Sequence, residues 1–307
     1  RGWSVSGTAN SPTRYKRGTP MSNNHDFTLV QGDCTELLSQ FDFKFNMIFA
    51  DPPYFLSNGG ISVQSGRQVS VNKGDWDKSQ GFDKNNEFNK NWLSLCREKL
   101  SDDGTIWVSG TYHNIFSIAQ AMTELGYKIL NCITWQKTNP PPNLACRSFP
   151  HSTDFLLWAR KSEKSKHYFN YGLMKAINGG TQMRDVWTLP AIAKWEKSCG
   201  KHPTQKPLPL LARIILASTK ENDWILDPFT GSSTTGIAAN LLGRRFLGLD
   251  REAGFLEMSK MRREEIEDIA VLADYRHRIA SYSDKKIADI LEIREPEVYY
   301  GIDLPIE

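Results

Sequence analysis

Short apolar runs and helical stretches alternate along most of this chain, and that alternation narrows the choice of fold more than any other feature. Runs at 27–31, 47–50, 105–108, 129–135, 155–159, 224–226 and 246–249 are rich in β-branched, aromatic and aliphatic residues and too short for helices. Between several of them, apolar residues recur at helical spacing, at 87–100, 113–125, 208–218 and 232–242, with a charged stretch starting near Glu252. Strand and helix in alternation predict an α/β protein with a doubly wound, mainly parallel sheet. The 307 residues give room for one large domain of that type with an insertion.

Two segments break the alternation. Residues 57–81 are rich in Gly, Ser, Gln and Asn without sustained periodicity, which predicts a mobile loop. Residues 162–201 are polar and basic around Gly179 and Gly180, which predicts a small insertion. The organisation expected is therefore a flexible leader over 1–25, one half of the domain over 26–161, the insertion over 162–201, and the other half over 202–263. An acidic, helical extension follows over 264–307, with a short amphipathic helix at 284–292.

Net charge is only +3, but residues 137–206 hold twelve Lys or Arg against four Asp or Glu. Trp135, Trp158, Tyr168, Phe169, Tyr171, Trp187 and Trp195 are interleaved with those charges. A polyanion that also offers bases for stacking suits this pattern, and so does an ordinary solvated basic face. The longest apolar runs, such as 46–50 and 155–159, are far shorter than a membrane span, so a cytoplasmic protein with no membrane partner is expected. Five cysteines without a CxxC pair read as reduced thiols. Cys199 and His202 lack a second ligand pair, so no metal is expected.

Four motifs carry the chemistry. Asp51-Pro52-Pro53-Tyr54 directly follows an apolar run, and ligands of open parallel sheets bind beyond the carboxyl ends of strands. The two prolines fix φ and remove two N–H donors, leaving carbonyl acceptors beside the Asp51 carboxylate. Such a pair suits an amino group with two hydrogens to give, and Tyr54 supplies a flat face for a base. The alternative is a strand end with a tight turn and a capping Asp. The second motif runs from Asp227 through Phe229, Gly231, Ser232 and Thr234: a buried strand, a small-residue turn, then a helix. Ser233 stands where the pyrophosphate-binding fingerprint needs its middle Gly, and Asp250 lies 19 residues after Gly231, where an acidic group receives ribose hydroxyls. An adenosyl cofactor without a pyrophosphate satisfies both observations. The third is His202-Pro203-Thr204-Gln205-Lys206-Pro207, placing Thr204 and Lys206 at a helix entrance that welcomes a carboxylate. The fourth, Gly32-Asp33-Cys34, puts another acidic group after a strand, to face an adenine amino group or to cap a helix.

In this order the motifs resemble the β class of DNA amino-methyltransferases that use S-adenosylmethionine, in which the DPPY motif precedes the cofactor turn. Here it does so by about 175 residues. Thr134-Trp135-Gln136-Lys137-Thr138-Asn139 and Leu156-Leu157-Trp158-Ala159-Arg160-Lys161 match as well. The resemblance implies a circularly permuted, Rossmann-like methyltransferase fold, with residues 162–201 as target-recognition insertion. Catalysis falls to Asp51, Pro52, Pro53 and Tyr54. The cofactor is S-adenosyl-L-methionine: Asp227, Phe229, Gly231, Ser232 and Thr234 hold its methionine part, Thr204 and Lys206 lie near its carboxylate, and Asp250 takes the ribose. Asp33 and Cys34 approach its adenine, and Asp51 borders both cofactor and target base. The departures are Ser233, where most members have Gly, and Thr230, where the residue is often smaller. DPPY rather than SPPY leans toward adenine N6 over cytosine N4. The stretches 55–61 and 73–77 most resemble DpnII-like restriction-modification enzymes acting on GATC. DNA is then the partner, double-stranded or also single-stranded, and the enzyme a monomer or homodimer. An RNA or protein-glutamine methyltransferase, a nicotinamide-dependent oxidoreductase and a non-enzymatic DNA-binding module are the rival readings.

Overall fold

The computed structural model describes residues 26–57, 61–64, 67–70, 77–143, 146–200 and 202–281. The expected leader and the helix expected at 284–292 lie outside them. In chain order the elements are β1 (Phe27–Gln31), α1 (Cys34–Leu37), β2 (Phe45–Ala50), β3 (Ile61–Gln64), β4 (Arg67–Ser70), α2 (Phe82–Lys99), β5 (Leu100–Gly110) and α3 (Ile115–Glu124). There follow β6 (Lys128–Lys137), β7 (Thr153–Arg160), α4 (Tyr171–Ile177), β8 (Val186–Leu189), α5 (Leu208–Ser218) and β9 (Trp224–Asp227). The last are α6 (Thr234–Leu241), β10 (Arg245–Asp250), α7 (Ala253–Glu265) and α8 (Ile269–Ser281).

Eight strands form one sheet in the order β1-β10-β9-β2-β5-β7-β6-β8. Every neighbouring pair is parallel except where β7 runs antiparallel to β5 and β6. The expected doubly wound sheet is thus present. β9 and β2 lie side by side, Met47 opposite Ile225 and Ile48 opposite Leu226, although 178 residues separate those partners. From β9 the chain passes through α6 to β10 on one side, and from β2 through α2 to β5 on the other. The strand order therefore reverses between β9 and β2, and a crevice opens beyond their carboxyl ends.

The sheet is buried on both faces. On one, Trp92, Leu93 and Cys96 of α2 and Ile115, Ile118 and Met122 of α3 pack over Ile48, Ile106 and Leu226. On the other, α5 and α6 cover Met47, Phe49 and Ile225. α5 is apolar around most of its circumference because α4, α6 and α8 flank it. α8 accounts for the start of the acidic extension: Tyr275, Ile279 and Ala280 are buried, and Arg276 Nε donates to the Leu241 carbonyl at 3.0 Å.

Two expectations change here. Within 57–81, β3 and β4 pair as an antiparallel hairpin instead of a structureless loop. Residues 162–201, expected as a small insertion, add β8 to the edge of the main sheet, with Trp187 opposite Trp135, and pack α4 on α5. Three of the four interleaved tryptophans do not form a base-stacking surface, while Phe169 and Tyr171 stay exposed. Trp135, Trp158 and Trp187 are buried, and Trp158 stacks on Trp107 with ring centroids 5.1 Å apart. Burying these rings outweighs presenting them to solvent, since each removes a large apolar area from water.

Candidate active site

The DPPY tetrapeptide leaves the carboxyl end of β2 as a compact, hydrogen-bonded unit. Asp51 Oδ2 accepts from Lys206 Nζ at 2.5 Å, and Asp51 Oδ1 accepts from the Tyr54 hydroxyl at 2.6 Å. Lys206 also donates to the Tyr54 oxygen at 3.1 Å, and its ammonium sits 5.4 Å from the ring centroid. Burial alone would depress the Lys206 ammonium, but Asp51, Tyr54 and Asp154 raise it above the ordinary lysine value, so it stays cationic. Burial, with Asp51 adding to it, pushes the Tyr54 phenol upward and keeps it a neutral donor. Among the described residues no hydrogen bond reaches the Pro52 carbonyl. Tyr54, expected to supply a flat face for a base, is buried at 8% exposure.

A residue of the stretch 73–77, which carried a resemblance but no assigned role, fixes the next turn. Asp77, fully buried, accepts from the Tyr54 and Phe55 N–H groups through Oδ1 at 2.9 and 2.8 Å, and from the Ser57 hydroxyl through Oδ2 at 2.7 Å. Its own carbonyl accepts from the Ser57 N–H at 3.1 Å. Phe55 is held at φ 57°, a left-handed conformation that side chains with a Cβ disfavour. The charged tripeptide Asp75-Trp76-Asp77 downstream of a DPPY motif was the available sequence signal.

The second motif forms the wall opposite. Asp227, at the end of β9, accepts from Thr235 Oγ1 at 2.6 Å and from the Phe229 N–H at 3.1 Å. Burial pushes its carboxyl up to about 7, partly offset by those two hydrogen bonds. The turn that follows is tight. Gly231 has φ 50°, and a Cβ there would lie 2.8 Å from the His202 ring, so glycine alone lets backbone and imidazole approach. Ser233, where the pattern calls for Gly, also takes a left-handed φ of 54°, and its hydroxyl lies 2.9 Å from Thr230 Oγ1. The two departures from the family pattern are thus one hydrogen-bonded pair. From α7, buried Arg262 donates to the Ser232 carbonyl at 2.6 Å and to Thr234 Oγ1 at 2.9 Å, bracing the turn from behind.

Asp250 ends β10 two strands from β2. Its Oδ2 accepts from the Gly231 N–H at 2.8 Å and its Oδ1 from the Glu252 N–H at 2.9 Å, which fixes the carboxylate while lone pairs remain. Asp33 caps α1 by accepting from the Thr35 N–H at 2.8 Å, the structural role open to it from sequence, and it also lines the cleft beside Cys34. Burial pushes the Cys34 thiol up to about 12, so it is an apolar wall and not a nucleophile. Glu196, also missed from sequence, accepts from the Leu208 N–H at 2.6 Å and the Ala193 N–H at 3.0 Å, fastening the segment that carries Thr204 and Lys206 to the start of α5.

All four motifs line one cleft of about 310 Å³. Asp51, Tyr54, Lys206, Asp227, Gly231 and Asp250 meet there, although the chain separates the first from the last by about 200 residues. Among the described residues no group of His, Cys, Asp and Glu is arranged to hold a metal ion, and no helix is long and apolar enough to cross a membrane.

A family profile described as DNA methylase matches residues 45–261, spanning both sides of this cleft. The chain belongs to that family of DNA methylases. Among characterised relatives, this methylase is 56% identical over 247 residues to the Type II methyltransferase M2.DpnII of Streptococcus pneumoniae, covering 80% of this chain and 92% of the relative. It is 53% identical over 249 residues to the Type II methyltransferase M2.MboI of Moraxella bovis, covering 81% and 91%. Its fold is similar to that of the M1.HpyAVI–SAM complex, with a TM-score of 0.60 and 29% identity over 77% of this chain and 98% of that one. PvuII DNA methyltransferase (cytosine-N4-specific) shares the fold at a TM-score of 0.61 and 16% identity, over 84% and 95%. The methylase is an S-adenosylmethionine-dependent enzyme, and its cleft suits that cofactor. A fixed carboxylate stands at the end of β10, a glycine turn allows close backbone approach, and Phe229 supplies an aromatic wall.

Proposed function

We propose that this methylase transfers a methyl group to the exocyclic N6 of adenine in DNA, within GATC, as part of a restriction-modification system. One observation carries the reading: the Asp51 carboxylate at the end of β2 and the Asp227–Gly231 turn at the end of β9 open onto the same cleft. S-adenosylmethionine, when bound, supplies a methyl group on a positively charged sulfur.

The protein's part is positioning and electrostatics. The adenine amino nitrogen is a poor nucleophile because its lone pair is delocalised into the ring. Asp51 and the Pro52 carbonyl accept its two hydrogens, which draws the nitrogen toward tetrahedral geometry and aims its lone pair across the cleft. The carboxylate stabilises positive charge as it develops on that nitrogen and takes up the departing proton. Lys206 and Tyr54 hold Asp51 from its far side, so that its free lone pairs face the base. Thr204 stands beside Lys206, and Asp227, Phe229, Gly231, Ser232, Thr234 and Asp250 hold the methyl donor, with Asp33 and Cys34 at its adenine end. In duplex DNA the target base must leave the stack, at a cost of a few kcal/mol, and single-stranded DNA avoids that cost.

The reading is tested by incubating the purified protein with S-adenosylmethionine and duplex or single-stranded DNA containing GATC, then digesting to nucleosides for mass spectrometry. N6-methyladenine confined to GATC supports it. N4-methylcytosine, or methylation of RNA or protein instead of DNA, overturns it.

A further inference from the structure

We infer that Asp77 is a positioning residue for methyl transfer, joining the DPPY turn to the cofactor turn; the inference rests on the proposed role of Asp51–Tyr54. Its carboxylate is fully buried and spends both oxygens on Tyr54, Phe55 and Ser57, three of the four residues that follow the tetrapeptide's prolines. One oxygen takes two successive backbone N–H groups, those of Tyr54 and Phe55, which forces the chain to turn there. The left-handed φ of Phe55 is the signature of that constraint, since an unconstrained Phe would leave it.

The turn also aims a side chain. The Phe55 ring packs edge-on against Phe88 of α2 with centroids 5.9 Å apart, and Phe88 lies 6.2 Å from Phe229 of the cofactor turn. Asp77 thereby sets the position of the Tyr54 backbone on one side and, through Phe55 and Phe88, of the Phe229 wall on the other. Asp77 lines the cleft, but both its oxygens are taken by the chain's own donors. Its loss misaligns nitrogen and methyl while leaving the polar anchors of the cofactor side, Asp250 and the Gly231 N–H, in place, and displacements of that kind lower rates by about 100-fold.

Full-length Asp77→Ala, Asp77→Asn and Ser57→Ala variants, with Asp51→Ala as control, are compared in single-turnover methylation of a GATC duplex, S-adenosylmethionine titration calorimetry and thermal unfolding. The amide of Asn retains an oxygen for both N–H groups, so Asp77→Asn should recover most of the rate. Asp77→Ala should lose about 30- to 100-fold in rate with cofactor Kd within about threefold, and Ser57→Ala about threefold in rate with its fold intact. Wild-type rate in Asp77→Ala, or no recovery in Asp77→Asn, overturns the inference. So does a Ser57→Ala rate equal to wild type if Asp77→Ala fails to fold. An active Asp51→Ala would instead show that the reading beneath it is wrong.

Discussion

Lys206 Nζ and Asp51 Oδ2 meet at 2.5 Å although 155 residues separate them in sequence. Both side chains are nearly buried, and an ion pair in that setting fixes geometry more than it adds stability. It also changes how Lys206 is understood. A helix-entrance lysine near a bound carboxylate is what the resemblance implies, whereas the ammonium here is turned onto the DPPY motif.

The two roles separate cleanly in kinetics. If Lys206 orients Asp51, Lys206→Met lowers single-turnover methylation about 100-fold with S-adenosylmethionine Kd within about threefold. A Kd raised tenfold or more with the rate at saturation preserved assigns the lysine to the cofactor instead.

Asp227 makes stability depend on pH. Its folded carboxyl, raised to about 7 from an ordinary 3.8, binds a proton that the unfolded chain has released. The stabilisation from that protonation is full below 3.8 and is lost as pH rises through about 7. Asp227→Asn should therefore flatten the fall in urea midpoint between pH 3.8 and about pH 7. Parallel wild-type and variant curves would contradict this.

The Thr230–Ser233 pair predicts an order of stabilities. Thr230→Val removes one buried hydrogen bond and should cost about 1 kcal/mol. Ser233→Gly loses the same bond but relieves the left-handed backbone by about as much, and should be near neutral. Equal losses in urea unfolding would show that the turn is unstrained.

The direction of β7 divides the basic residues of 147–194 between the two ends of the sheet. That strand runs against β5, so Lys164 and Lys166, just beyond its end at Arg160, lie at the amino end of the parallel strands, away from the cleft. Exposed Arg147, in the β6–β7 connection, and Lys194, after β8, lie at the cleft end. Arg147→Ala with Lys194→Ala should weaken DNA binding and lower its salt slope by about 1 to 2, and Lys164→Ala with Lys166→Ala should change neither. The reverse result would relocate the DNA surface.

The parallel sheet, five of the helices and the motifs around the cleft were legible because each rests on local signals: periodicity, strand-end position and turn composition. α5 falls on the expected 208–218. The hairpin is hidden by Gly and Ser content that suits a loop equally well, although Ser65-Gly66 between 61–64 and 67–70 is a two-residue turn signal. β8 was missed because a four-residue edge strand shows too little pattern. The burial of Tyr54 and the pairing of Lys206 with Asp51 were not legible, since each depends on residues brought together only by the finished fold, whereas Asp77 lay in a stretch whose resemblance was legible and whose bonds were not. Composition misled at the tryptophans, where aromatics amid basic residues suit a core as well as a nucleic-acid surface.

The central claim is that Asp51 acts on the amino nitrogen across the cleft from the methyl donor. Asp51→Ala, assayed by single-turnover transfer of tritiated methyl to a GATC duplex alongside S-adenosylmethionine calorimetry, tests it most directly. A rate lowered about 1,000-fold or more with cofactor still bound within about tenfold of wild type is the predicted result. Methylation near the wild-type rate in that variant would contradict it.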